Sequence, residues 1–164
     1  MTSAQFTGAG QKTIEEFKGD GAMMYHQVRA ECSGELGDDT VYDGEPTDRP
    51  IKVKKLQFDF ISPPNDALHC TMNQYIGWKE LEKALLSLDN LTGIEFHEVK
   101  IYADEQIKEL HPNPLPKFRW FKITGQPNVD DFGLIGPDVV VSDRVLEIIK
   151  RFPHKYLKQG TFKP

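Results

Sequence analysis

What this chain lacks already narrows what it can be. It has only two cysteines, Cys32 and Cys70, among 164 residues, and they form no CxxC spacing. A single disulfide stays open, but two thiols in a chain this size read as reduced residues in a reducing compartment. No stretch approaches the ~18 apolar residues of a membrane span. The N-terminus has no basic start followed by an apolar run, so no secretory signal is expected. The expectation is a soluble, cytoplasmic protein. Clustered positive charge is missing too: the formal net charge is −5 and the sequence pI is about 5.5. Nucleic acid and anionic membranes demand grouped Lys and Arg, so neither is expected as a direct partner. A mild acidic excess serves solubility, and permits a basic protein partner without requiring one. There is no internal repeat and no low-complexity block.

The signatures of catalysis and metal binding are as sparse. None of the five histidines (His26, His69, His97, His111, His154) pairs at i, i+4, and no HExxH occurs, so no metal or cofactor is expected. His69-Cys70 and His97-Glu98 are isolated dipeptides. No GxSxG elbow is present. Gly8-Ala9-Gly10 lacks the Lys-Ser/Thr of a phosphate loop. Asp130-Asp131 could serve metal or acid–base chemistry as a carboxylate pair. Beside Gly133, in turn-rich sequence, backbone hydrogen bonding is the plainer reading. The Phe118-Arg119-Trp120-Phe121 run is too short for an RNA platform, and its aromatics read as core.

What is present is a well-punctuated alternation of strands and helices. Residues 139–141 are all valine, and Ser142 follows in the position of a helix cap, its hydroxyl suited to an orphaned first-turn N–H. Asp143 at the start and Lys150 and Arg151 near the end match the helix dipole. Val145, Ile148, Ile149 and Phe152 give that helix one apolar face. A second helix is expected over 76–88, with Trp78, Leu81, Ala84, Leu85 and Leu88 on one side. Strands are expected over 23–32, 51–61, 94–102 and 117–124. The alternation in 51–61 slips at Lys54-Lys55, as a β-bulge or a strand junction would make it, and 94–102 slips similarly at His97-Glu98. Residues 104–110 suit a turn or two of helix, and 13–18 a short helix capped by Thr13 and Glu16. Residues 33–50 read as a long acidic surface loop, 111–116 as a rigid Pro-rich connector, and the residues after Phe152 as a short basic tail. The sum is a flexible 1–12 followed by a single α+β domain over 13–164, a mixed or antiparallel sheet with two principal amphipathic helices.

Two segments resemble a known family. Asp131-Phe132, followed by Val139-Val140-Val141-Ser142-Asp143-Arg144-Val145-Leu146 and an amphipathic helix, is similar to the C-terminal segment of certain bacterial immunity proteins. These neutralise polymorphic toxins and were once catalogued as a domain of unknown function. Their Gly-Ile-Glu-Phe-x-x-Val-x-Ile strand resembles residues 93–101 here. The resemblance implies a non-enzymatic cytoplasmic protein that occludes one cognate toxin domain stoichiometrically. Toxins of this kind are often nucleases with basic substrate grooves, so carboxylates on irregular backbone are the expected contact. Glu35, Asp38, Asp39, Asp43, Glu45 and Asp48 are the candidates, with Asp130 and Asp131. The alternative is a small enzyme or ligand-binding domain using Asp130, Asp131 and His97.

Overall fold

The computed structural model describes residues 24–111 and 114–163. The flexible segment expected over 1–12 and the helix expected over 13–18 lie outside the described residues. The expected 23–32 strand is two, β1 (Tyr25–Arg29) and β2 (Glu31–Cys32), broken at Ala30. Next come β3 (Gly34–Leu36) and β4 (Val41–Tyr42), then β5 (Val53–Phe60), β6 (Leu68–Thr71), β7 (Gln74–Trp78) and α1 (Lys79–Leu86). β8 (Ile94–His97), β9 (Val99–Tyr102), α2 (Glu105–Leu110) and β10 (Phe118–Ile123) precede the terminal part. That part comprises β11 (Phe132–Ile135), β12 (Asp138–Ser142), α3 (Asp143–Ile149) and β13 (Lys158–Thr161). The architecture is α+β.

Among the described residues the strands form three sheets. One runs β11-β12-β1-β13, a second β2-β6-β7-β10-β8, and the third holds β5 between β3/β4 and β9. The second sheet is the middle layer. Cys70, Tyr75 and Phe121 on one of its faces meet β1, β12, α1 and α3 in the larger core. Ile76, Phe118 and Trp120 on the other meet β5 and α2 in the smaller one. Alternation along a strand explains this directly, since successive side chains point to opposite faces.

Several expectations need correction. The 33–50 segment is not one loop. Residues 34–36 and 41–42 pair antiparallel with β5, because Gly34, Leu36 and Tyr42 can fit against a strand whose own alternation demands neighbours. The slip at Lys54-Lys55 is the bulge: Val41 lies opposite Lys55, and Tyr42 opposite Val53. The slip at His97-Glu98 is a change of sheet, β8 pairing with β10 and β9 parallel with β5. Residues 76–78 end a strand rather than begin a helix, since Ile76 is fully buried between layers. The tail after Phe152 returns as β13 along β1. Gly133, in sequence read as turn-rich, lies inside β11. Ser142 is the N-cap residue of α3, but its side chain makes no cap bond.

Gly93 is where the backbone leaves no alternative. Its φ is +85°, and an added Cβ would lie 2.2 Å from the carbonyl oxygen of Phe132, a backbone atom. Gly136, at φ +60° in the β11–β12 turn, has nothing within 4 Å of such a Cβ. Left-handed backbone costs a side chain about 1–2 kcal/mol, so Gly136→Ala is expected to lose about 1 kcal/mol. Gly93→Ala adds displacement of β11 and is expected to lose about 2–3 kcal/mol. Urea unfolding of both variants checks the ordering; equal losses would remove the clash from the account.

Candidate functional site

Hydrogen-bond registers place the acidic residues of 33–50. Glu35 lies opposite Asp59, and Asp59 opposite Tyr102, across β3, β5 and β9. Residues opposed in this way share a face. It is the outward face, for Leu36, Phe58 and Ile101 of the next row belong to the core cluster. Tyr102 is 55% exposed there, and Val41, opposite Lys55, is 44% exposed. Asp39 pairs with Lys100, and its backbone N–H donates to Gln57 Oε1 at 3.0 Å. Glu35, Asp38, Asp43 and Glu45 are exposed. Asp48 is also exposed, but its carboxylate accepts from the Glu45 N–H at 3.0 Å and so shapes the turn.

That turn leads into an apolar groove of about 520 Å³. Pro50 and Ile51 form one wall, Met72 and Asn73 of the β6–β7 turn another, and Leu134 and Pro137 of the β11–β12 hairpin the third. Its walls are tied together: Asn73 Nδ2 and Gln74 Nε2 both donate to the Ile51 carbonyl, at 3.2 and 3.4 Å. Arg49, at the rim, donates from Nη1 to the Pro46 and Asp48 carbonyls. Met72 is 43% exposed, at a φ of +54°. Three chain-distant turns thus build a preformed apolar site next to the Asp43–Asp48 end of the acidic segment.

Asp130 and Asp131 are not part of it. They stand at the opposite end of the β11–β12 hairpin from the groove. Asp130 is half-buried and accepts from the Gln126 N–H at 2.8 Å. Asp131 is 3% exposed. Its Oδ1 accepts from Ser142 Oγ at 2.7 Å and Arg144 Nε at 3.0 Å, and its Oδ2 from Arg144 Nη2 at 2.8 Å and the Thr92 N–H at 3.1 Å. Burial pushes its carboxyl up, but the bonds from Arg144, Ser142 and Thr92 outweigh that and hold it below the ordinary range. This explains the Ser142 hydroxyl: a buried carboxylate claims it before the helix can. Asp131 is therefore structural, and a partner cannot reach it. His97 is exposed, bonded to Glu95 at 2.9 Å. It stands at the far end of β8 from Gly93, so Asp130, Asp131 and His97 are not gathered into one centre. Among the described residues no group of three or more His, Cys, Asp or Glu is placed to hold a metal ion.

A second polar cluster had no linear signal. The parallel pairing of β2 with β6 sets Glu31 beside His69 and Cys32 beside Cys70. His69 is fully buried against the rings of Phe60 and Phe118, which also meet each other. Its Nε2–H donates to the Asp66 carbonyl at 2.7 Å, and its Nδ1 then accepts from Ser33 Oγ at 2.6 Å. Burial lowers its pKa to about 4, so the ring is neutral. Ser33 is 1% exposed, so the Ser33–His69 pair lies inside the core. Asp66, 2% exposed, caps the 155–156 turn through both carboxylate oxygens. Parallel strands far apart in sequence carry no local cue, and only tertiary pairing reveals this cluster.

No protein-family model and no curated protein matches this chain. No helix among the described residues is long and apolar enough to cross a membrane.

Proposed function

We propose that this chain is a cytoplasmic protein-binding module that neutralises a partner by stoichiometric occlusion, in the manner of an immunity protein. The observation that carries this reading is an apolar groove at Arg49–Ile51 that adjoins the exposed Asp43 and Glu45, with Glu35 and Asp38 exposed farther along β5. Interfaces draw affinity from apolar anchors in preformed pockets, while rim charges set approach and orientation. The partner that fits is a protein domain with a basic face and a projecting apolar side chain. A nuclease domain has such a face, because it must hold phosphates.

The test uses the protein encoded by the neighbouring gene as the partner, mixed with the purified chain. A one-to-one complex and loss of the partner's activity at one equivalent are expected. Reversing Glu35, Asp38, Asp43 and Glu45 to Lys is expected to slow association about tenfold or more and flatten its salt dependence. Met72→Asp places a charge in the groove, at a φ that Asp tolerates. It is expected to raise the dissociation rate without lowering Tm. If neither variant changes the kinetics of a complex that does form, the surface assignment is wrong.

The volume and apolar lining of the groove also lie within the range of small-molecule pockets. An apolar small molecule that raises Tm in wild type and not in Met72→Asp would favour that second reading.

A further inference from the structure

We infer that Cys32 and Cys70 are a redox-active dithiol, closed into an internal disulfide by exchange with a small-molecule disulfide. Cys32 acts as the attacking sulfur and Cys70 as the resolving one. The two occupy directly opposed positions on parallel neighbouring strands. Strand spacing of ~4.8 Å falls within the Cα separation of roughly 4.4–6.8 Å that a disulfide bridges. Their Sγ atoms are 3.2 Å apart, and both thiols donate to one acceptor, the Ala30 carbonyl, at 3.8 and 3.5 Å. The side chains therefore already face each other, and only small rotations separate the dithiol from a bond.

Exposure assigns the roles. Cys32 is exposed on the edge strand β2, whereas Cys70 is fully buried. Burial pushes the Cys70 thiol up, so it stays protonated and shielded from soluble reagents. In the first step the Cys32 thiolate attacks a disulfide RSSR, forming protein–S–S–R and releasing RS⁻, which takes up the proton Cys32 lost. In the second, Cys70 attacks the Cys32 sulfur of that mixed disulfide. Its proton leaves with the second RS⁻. Two protein thiols and one RSSR become one protein disulfide and two RSH, so the protein is oxidised by two electrons and the reagent reduced by two.

The bond would close a ring over residues 33–69, which contains β3, β4 and β5, and would anchor the chain just ahead of Glu35. Nothing in this inference depends on the identity of a partner. The experiment incubates the full chain with oxidised glutathione, quenches with acid, alkylates, and measures intact and peptide masses. The expected product is a monomer with a Cys32–Cys70 linked peptide and no glutathione, reversed by dithiothreitol. Its Tm is expected to lie roughly 5–10 °C above that of the reduced form. Cys70→Ser is expected to stop at a stable glutathione adduct on Cys32, and Cys32→Ser to leave Cys70 unmodified. Wild-type protein that keeps both thiols, retains glutathione on Cys32 beside a free Cys70, or forms disulfide-linked dimers overturns the inference, whether or not the variants fold.

Discussion

Asp131→Ala is expected to destabilise the fold by about 2–4 kcal/mol. For a chain of this size that corresponds to roughly 5–15 °C in Tm. The substitution takes the shared acceptor away from the Ser142 hydroxyl, which is fully buried, and from the Thr92 N–H. Arg144 is about one-third exposed and can turn to water, which keeps the loss below that of breaking a wholly buried ion pair. The carboxyl is held below its ordinary range. It contributes stability that is fully present above pH ~4, the unfolded value, and is lost as pH falls through the folded one. Chemical denaturation at pH 7 and at pH 3 checks both points: the gap between wild type and Asp131→Ala should be wide at pH 7 and should narrow at pH 3. A gap that stays constant with pH would mean that the carboxylate charge is not what stabilises the site.

Acid should weaken the protein in a separate and higher window, through His69. An unfolded histidine titrates near pH 6.5, and burial lowers the folded value to about 4. Between the two, the unfolded chain binds the extra proton and the folded one does not, so stability falls as pH drops from about 6.5 to about 4. A difference of this size amounts to about 3 kcal/mol. Glu31, 3.6 Å away through its Oε1, acts in the opposite sense. Burial, with the Asp66 charge, raises its carboxyl. It therefore takes up its proton at higher pH in the folded chain than in the unfolded one, which offsets part of the loss. Urea midpoints of wild type and His69→Gln across this range give the test: the variant should show a flatter curve between pH 6.5 and 4. An unchanged slope would assign the acid sensitivity elsewhere.

Local readings succeeded where one element's own alternation or capping chemistry decides its form. The strand ending at Phe60 is visible because Leu56, Phe58 and Phe60 must bury together. The turn or two of helix expected over 104–110 is α2, which Asp104 caps by accepting from the Ile107 N–H at 2.9 Å. The reading erred where a neighbour decides. Residues 34–36 are acid- and Gly-containing, and form a strand only because β5 offers an unpaired edge. The helix expected from Ile76 begins only at Lys79, because the β6–β7 hairpin takes 76–78. The acidic residues divide on the same principle. Glu35, Asp38, Asp43 and Glu45 remain at the surface, whereas Asp131 is drawn inside by Arg144.

The sequence by itself determined the class of fold, the helix after Ser142 and a break in strand alternation at Lys54-Lys55. These follow from periodicity and residue type within short windows. Tertiary structure alone decided which carboxylates face solvent, where the apolar groove lies and that Cys32 meets Cys70. Each of these depends on pairing between segments distant in the chain. Hydrogen-bond register specifies such pairing residue by residue, and no local pattern encodes it.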